Sequence, residues 1–528
     1  MAANIVTAPI HSEKAPRIYS ALFWLSIFAL STLGVLPWIQ VSYLHVDHAE
    51  TIYHAREVLA GRVPYRDIFT HHFFGYILPV SLAGIIFPLD EVALKILVVL
   101  YKFLSAALLY LAARILFDNR TGCIAAFLFV TIGWFYSWQG NLLNVQGCIE
   151  PVLCGYLALL AAACTTPSRA RLCGAAFACS LLFVYDQRMV VFGLLLAIPL
   201  RIHKGYHSPI ALAQVALIFL VLPCFSVLFL WHLGAFQDFI EQTLLFPLFS
   251  RNHEVDLSAR WFDLASYFVR SEPVVICLTI IGVLGLPQEK KHGASGLIII
   301  LGTILGFAYA MIGGRNYTNY YLPMAPFLIL GISAIWASPA YTPDSIGGRL
   351  LRRSAIAYAI FAAILPFLIS ASGMKLYFSG DERMSAGVAA FLKPKLSPQD
   401  EVLVWGYKPQ IYLLLDRFSP FRDMGLLSVG GADFSNENGQ NQAYDMTLLK
   451  EFQHLLSETP PRYIVEVRKK DIECAHAYCF GRGEVQKNMD FRNVEYLRFL
   501  RERIAAHYKP LIEVNSSVES AIIYEEQK

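Results

Sequence analysis

The chain has 528 residues, 56% of them hydrophobic and only 16% charged, with a mean hydropathy of +0.48 and a formal net charge of +3. A soluble domain carries about a quarter charged residues, so this balance excludes a soluble globular enzyme and indicates an integral membrane protein. The long unbroken apolar runs call for spanning helices of about 20 residues rather than barrel strands, and the basic residues fall in short separated clusters, which excludes a nucleic-acid-binding stripe.

The first apolar run, Ala21 to Ile39, follows Lys14 and Arg17. It is longer than a signal-peptide core and has no small-residue cleavage site, so it reads as a retained anchor. Beyond it lies "VDHAETIYHAREVLAGRVPYRDIFTHHFFGY", residues 46–76, dense in carboxylates, histidines and arginines. The apolar stretch Phe73 to Pro88 contains Gly75, Pro79 and Gly84 and reads as a helix lying in or dipping into the outer leaflet. Further spans are expected at Val92–Ile115, Cys123–Trp138, Pro151–Cys164, Leu172–Val184, Val190–Leu200, Ile210–Trp231, Val274–Leu286, Leu297–Ile312, Tyr321–Trp336 and Ile356–Ser370, about eleven in all.

Arg114/Arg120, Arg169/Arg171, Arg201/Lys204, Lys290/Lys291 and Arg349/Arg352/Arg353 occupy every second loop, which by the positive-inside rule faces the cytoplasm. Trp38, Trp134, Trp138, Trp231 and Trp261 then fall at outer ends, where indole rings favour the boundary with water. The outer loops hold most of the polar chemistry, so the outer face is the working face. The expected localisation is an inner-membrane protein whose site and tail face the periplasm or exterior.

After about residue 373 the composition is that of a soluble domain. Strand-like "EVLVWGY", "IYLLLD", "RYIVEVRK" and "SAIIYEE" alternate with helical patterns at Tyr444–Ser457 and Asn493–His507, which suggests a small extracytoplasmic α/β layer. Gly430 to Gln442 reads as a mobile loop. The chain thus divides into a membrane domain, residues 1–372, with a first outer loop at 45–90, and a tail, residues 373–528. Eight of ten cysteines lie in or beside apolar runs and read as small core residues; spacing leaves open whether Cys474 and Cys479 pair.

In a helix, Asp47, Glu50 and His54 stand at i, i+3 and i+7 and share a face, with Arg56 to one side. That face can take a proton or hold a cation, or it is a solvated amphipathic face on the lipid surface. Arg188 either binds an anion or pairs with Asp186. Arg251 with His253 either covers a ligand or decorates a loop, and Arg315 among Tyr317, Tyr320 and Tyr321 fits a lipid phosphate or a snorkelling cluster. Lys95 reads as a partner of Glu91. No cofactor is required by any motif. A divalent cation is left open, with Asp47, Glu50 and His54 as its ligands, although no recognised ligand spacing supports it.

Asp47, Ala55, Arg56, Gly61, Pro64, Tyr65, Arg66, Asp67 and His71 follow the order of the first outer loop of GT-C glycosyltransferases, and the pattern most resembles family 39. "NLLNVQGCIEP" resembles that family's second outer loop, with Glu150 in the acidic position. "GGRNYTNYYLPMAP" resembles its late Arg/Tyr-rich loop, and "VLVWGYKPQIYLLLDR" with "PPRYIVEV" its α/β tail. Two departures stand out: Asp47 is followed by His48 where the family has a second acid, and His72-Phe73-Phe74 replaces a frequent Lys-Pro-Pro.

The resemblance implies a helical polytopic GT-C fold and transfer of a sugar from a polyprenyl-phosphate donor to an acceptor hydroxyl of a glycolipid, polysaccharide or protein. Catalysis would fall to Asp47 as general base with Glu50 and Glu150. The donor phosphate would fall to Arg56, Arg188, Arg251, Arg315 and Tyr320, and substrate contacts to Tyr65, His71 and His72. Partners are the lipid-linked sugar, its acceptor and membrane lipid, with no nucleic acid. The alternatives are a lipid-linked sugar transporter and a noncatalytic membrane assembly factor.

Overall fold

The computed structural model describes residues 14–39, 46–134, 140, 142–245, 257–286, 290–312, 318–371, 375–424, 442–469, 498–516 and 519–527. Among them, five helices are long and apolar enough to cross a membrane: Glu91–Leu116, Val145–Thr165, Pro209–His232, Gly293–Ile312 and Asn319–Ala337. A pair bent by 90°, Ala265–Ser271 and Pro273–Leu284, would make a sixth. Helices Lys14–Ile39, Arg169–Tyr185 and Ile346–Ala371 cover the expected spans at 21–39, 172–184 and 356–370. The run at 190–200 is a 3-10 helix, Gln187–Leu196, continued by Ala197–Ile202. At about 2.0 Å per residue the tighter helix covers more height with fewer residues.

The helices around the polar segment at 46–76 follow from local chemistry. Helix α1 is Lys14–Ile39, α2 Val46–Leu59 and α3 Ile77–Ile86. Phe74 to Ile86 spans only thirteen residues, about 20 Å at 1.5 Å per residue against a hydrocarbon core of about 30 Å. Gly75 is required there, because a Cβ would lie 2.4 Å from the Val184 carbonyl oxygen. Helix α4 (Glu91–Leu116) is capped by Asp90, whose side chain accepts from Ala93 N. Helix α5 (Asn119–Thr131) is capped in the same way by Asp118, and α6 (Val145–Thr165) by Asn144, which accepts from Gly147 N. Helices α4, α5, α6 and α7 (Arg169–Tyr185) form the packed centre of the membrane domain.

Trp134 corrects the boundary reading. It is 1% exposed, and its indole Nε1 donates to Val130 O at 2.9 Å, so it packs inside the bundle, whereas Trp231 is 68% exposed. Helix α5 ends at Thr131, and the turn that follows folds this ring back inward.

The tail carries a four-stranded sheet in the order β1-β2-β4-β3, from β1 Val402–Trp405, β2 Tyr463–Lys469, β3 Tyr508–Asn515 and β4 Glu519–Glu526. The β1/β2 pair is parallel and the other two pairs are antiparallel. "IYLLLD" is not a strand. Pro409 opens a helix, Pro409–Leu415, and Asp416 closes it in the left-handed region at φ 54°, a position Asp tolerates. Strand β3 is additional to the expected set. The helix expected at Asn493–His507 is described from Arg498. Gly430–Asn441, Cys474 and Cys479 lie outside the described residues.

Residues alternate sides along a strand, and the first outer loop uses both sides of this sheet. Tyr53 of α2 packs with Val402, Val404, Val465 and Ile523 on one face. Phe69 packs with Leu403, Trp405 and Ile464 on the other. The tail therefore sits astride the first outer loop.

Candidate active site

Helix α2 supplies the carboxylate face. Its anchor is His48, which is 5% exposed and whose Nε2 accepts from Leu143 N at 2.6 Å, while Thr51 Oγ1 donates to Leu143 O at 3.0 Å. These contacts fix α2 against the second outer loop and fix the tautomer of His48, with the proton on Nδ1. Asp47 opens the helix and is half-buried. It lies close enough to Tyr76 and Tyr407 for its charge to act on both phenols.

Glu50 and His54 lie one helical turn apart, with Glu50 Oε1 3.6 Å from His54 Nε2, and His54 Nδ1 stands 3.0 Å from Glu57 Oε2. Burial disfavours the imidazolium, but the two carboxylates outweigh it and push His54 up to about 9. Burial likewise opposes the Glu50 carboxylate. The His54 ring 3.6 Å away, together with the Tyr407 phenol and the His71 charge, nevertheless holds it below the usual carboxylate range. Glu50 is therefore an anion at neutral pH and His54 a cation.

His71 and His72 form a bridge, with ring centroids 4.1 Å apart. His71 acts on Glu50, and His72 acts on Asp186. Gln187 holds this turn by donating Nε2 to His71 O at 3.3 Å and accepting from Phe73 N at 3.4 Å.

On the far side of the histidines, Asp186 takes the Nε and Nη2 groups of Arg188. Tyr309 OH donates to Asp186 Oδ2 at 2.8 Å, and the guanidinium lies 4.5 Å and 4.3 Å from the ring centroids of Tyr309 and Tyr320. Gln146 Nε2 reaches Tyr309 OH at 2.9 Å, and Asn319 Nδ2 donates to Gln146 Oε1 at 2.9 Å. Burial would raise Asp186, but the Arg188 charge and hydrogen bonds keep it low. The pair is charge-neutral, and Nη1 of Arg188 has no hydrogen-bond partner among the described residues.

The other expected residues fall elsewhere. Arg56 donates to Leu89 O at 2.9 Å and to Asp416 Oδ1 at 3.3 Å, tying α2 to the tail. Nine residues from Asp47, it stands roughly half a turn round the helix from that carboxylate. Tyr65 is buried at φ 68°, and its OH accepts from Phe74 N at 2.9 Å and donates to His72 O at 3.3 Å. It shapes the loop that carries the histidines, and burial pushes its phenol well up. Glu150 lies in the bundle, 2.7 Å from Lys102 Nζ. Lys95 pairs with Glu91 as expected. Arg251 and Arg315 lie outside the described residues.

Asp47, Glu50 and His54 do not converge as a metal site. His54 is engaged between two carboxylates, and among the described residues no three His, Cys, Asp or Glu side chains are placed to hold an ion.

Sequence reasoning missed Lys102, Gln146, Tyr309 and Tyr407. Lys102 and Tyr309 are single polar residues inside apolar runs, a signal that was available, and Gln146 stood within the second outer loop without being singled out. Tyr407 stood inside a strand-like run with nothing to mark it.

No protein-family model matches the chain, and no curated protein matches it by sequence. Solved structures do. ArnT from Cupriavidus metallidurans bound to undecaprenyl phosphate superposes with a TM-score of 0.61 at 13% identity, over 96% of this chain and 98% of that one. The same protein in the apo state gives 0.60 at 13% identity, over 97% and 98%. The Archaeoglobus fulgidus oligosaccharyltransferase in its apo form gives 0.45 at 14% identity, over 84% and 69%. The chain thus shares the fold of ArnT along nearly its whole length.

Proposed function

We propose that this protein is a glycosyltransferase that moves a sugar from a polyprenyl-phosphate donor to an acceptor hydroxyl on the outer face of the inner membrane, with inversion at the anomeric carbon. The observation that carries this reading is the juxtaposition of an anionic face, Asp47 and Glu50, with the Asp186–Arg188 pair across the His71–His72 bridge. A transfer of this kind needs a base beside the acceptor and a cation beside the departing phosphate. The ArnT fold adds a precedent for a lipid phosphate, because that protein is bound to undecaprenyl phosphate.

In this reaction Asp47 accepts the proton of the acceptor hydroxyl as its oxygen attacks the anomeric carbon from the face opposite the phosphate. The bond from carbon to phosphate oxygen breaks, and the electron pair leaves on polyprenyl phosphate. That leaving group needs charge stabilisation rather than protonation. Arg188, oriented by Asp186 and held between two tyrosine rings, offers Nη1 to a phosphate oxygen; Arg251 and Arg315 are the further cations of this role. Glu50 orients the acceptor beside Asp47. A glycolipid, a polysaccharide and a protein all present suitable hydroxyls.

The test is mass analysis of envelope glycolipids and glycoproteins from cells with the protein, without it, and with Asp47→Asn. One sugar should be missing in the last two while Asp47→Asn keeps normal abundance in the membrane. A complete sugar complement in cells lacking the protein sinks the transferase. Product loss with lipid-linked sugar accumulating on the inner face favours a transporter instead.

A further inference from the structure

The turn that carries the histidines is held by side chains rather than by regular structure. Thr70 N donates to Gln242 Oε1 at 3.0 Å, His72 N to Thr70 Oγ1 at 3.3 Å, Phe73 N to Gln187 Oε1 and Phe74 N to Tyr65 OH. Gln242 also donates Nε2 to Tyr65 O at 2.6 Å and is 0% exposed. Both ends of one buried amide therefore close the loop between Tyr65 and Thr70.

Gln242 comes from a segment remote in the chain, the short helix Phe236–Ile240 and the single π turn Glu241–Leu245 that continues it. Such wide turns are rare and frequent at functional sites. Phe239, three residues before Gln242, places its ring centroid 5.1 Å from those of both Tyr65 and Phe73, so one segment grips the loop on either side of the histidines. From the tail, Arg422 Nη1 reaches Tyr65 O at 3.3 Å and Asp238 Oδ1 at 2.6 Å, which fastens that segment and the loop together. Beyond the turn, the Phe74 ring lies 6.4 Å from that of His54 on α2, while Gln187, the neighbour of Arg188, donates to His71 O. The histidine turn is thus flanked by α2 and by the Asp186–Arg188 pair.

Building on the transferase reading, we propose that Gln242 is a positioning residue: its buried amide locks the loop from Tyr65 to Thr70 and so sets where the His71 and His72 rings stand between α2 and Arg188. An amide suits this task because it accepts and donates at once, and Thr70 N needs an acceptor while Tyr65 O needs a donor. A carboxylate serves only the first. An apolar side chain serves neither and leaves the Thr70 amide without its partner. Being fully buried, Gln242 acts through the loop on the geometry of transfer, where a displacement of about 1 Å can cost roughly 100-fold in rate.

The test uses the full-length protein in nanodiscs and in cells lacking the native copy, with Gln242→Met. Histidine labelling by diethyl pyrocarbonate, read by mass spectrometry, reports the turn without depending on the reaction. Labelling of His71 and His72 is expected to rise several-fold, with that of His454, exposed on the tail helix Gln442–Glu458, unchanged. Sugar product per unit of membrane protein should fall roughly 10- to 100-fold. Gln242→Glu, isosteric but unable as a carboxylate to donate to Tyr65 O, should act in the same direction and serves if Gln242→Met does not accumulate. Tyr156→Phe, which removes a buried hydrogen bond to Phe192 O inside the bundle, controls for general loosening. Unchanged labelling of His71 and His72 overturns the proposal, as does raised labelling with undiminished product, or the same rise in Tyr156→Phe. If cells with and without the wild-type protein make the same products, the transferase reading falls, while the labelling comparison still decides whether Gln242 holds the histidine turn.

Discussion

Glu50 and Glu150 each face a cation, and the difference between their surroundings separates chemistry from architecture. Lys102 and Glu150 are both 2% exposed, between α4 and α6. Lys102 also donates to Gly133 O at 2.9 Å, and the Phe129 and Trp134 rings lie 5.0 Å and 5.3 Å from its Nζ. Every direction around that pair is closed by protein, so it can tie the end of α5 to α6 but has no room for a substrate. Glu50 keeps 22% of its side-chain surface. It stands on α2, where a pair of histidines and the tail approach that helix. Burial and pairing alone do not distinguish the two carboxylates; Glu50 keeps exposed surface and Glu150 does not.

That contrast can be broken at several points. The largest effect is expected from Asp47→Asn, which should lower sugar transfer by roughly 10²- to 10⁴-fold, the usual worth of a positioned base, with normal abundance. Lys102→Met should act in the opposite way. It leaves Glu150 uncompensated in the bundle, at a cost of about 3 to 5 kcal/mol, and should show as lost abundance and a lower melting temperature in detergent. Pairing it with Glu150→Leu should restore most of that stability, and failure of the double variant to recover would mean that the pair does more than hold helices together.

His54 sharpens the comparison through pH. Its folded pKa, about 9, lies above the ordinary 6.5, so its stabilising contribution is complete below about pH 6.5 and fades as pH rises through 9. The advantage of the wild type over His54→Gln in thermal unfolding should be on the order of 3 kcal/mol near pH 6 and shrink steadily to pH 9.5. A difference that does not change with pH would show that His54 is held neutral. The smallest effect is expected from Lys95→Met, two turns before Lys102 on the same helix. Its Glu91 partner keeps 27% of its side-chain surface, and the change should cost at most about 1 kcal/mol, read in the same unfolding assay.

Much of this was legible from local pattern. Asp47, Glu50 and His54 on one face of a helix, the short apolar helix after it and the α/β tail could all be read in chain order. "IYLLLD" could not, because a short apolar run fits a strand or a buried helix equally, and Pro409 with Asp416 decided the matter. Trp134 misled because the rule for indole rings describes lipid-facing positions, and nothing local marks a ring that turns inward. Arg56 carried the motif of a phosphate ligand, yet its donors go to Leu89 and to Asp416, the latter 360 residues away.

By itself the sequence determined which segments are apolar and which polar: apolar length set which helices are long enough to cross a membrane, and hydrophobic period fixed which face of α2 carries acid. Tertiary structure alone decided which charges meet. Lys102 finds Glu150 across 48 residues, Arg188 is sandwiched by Tyr309 and Tyr320, and Arg56 meets Asp416 of the tail. Such pairings depend on distances of a few ångströms between segments remote in the chain, and no periodicity within a single segment encodes them.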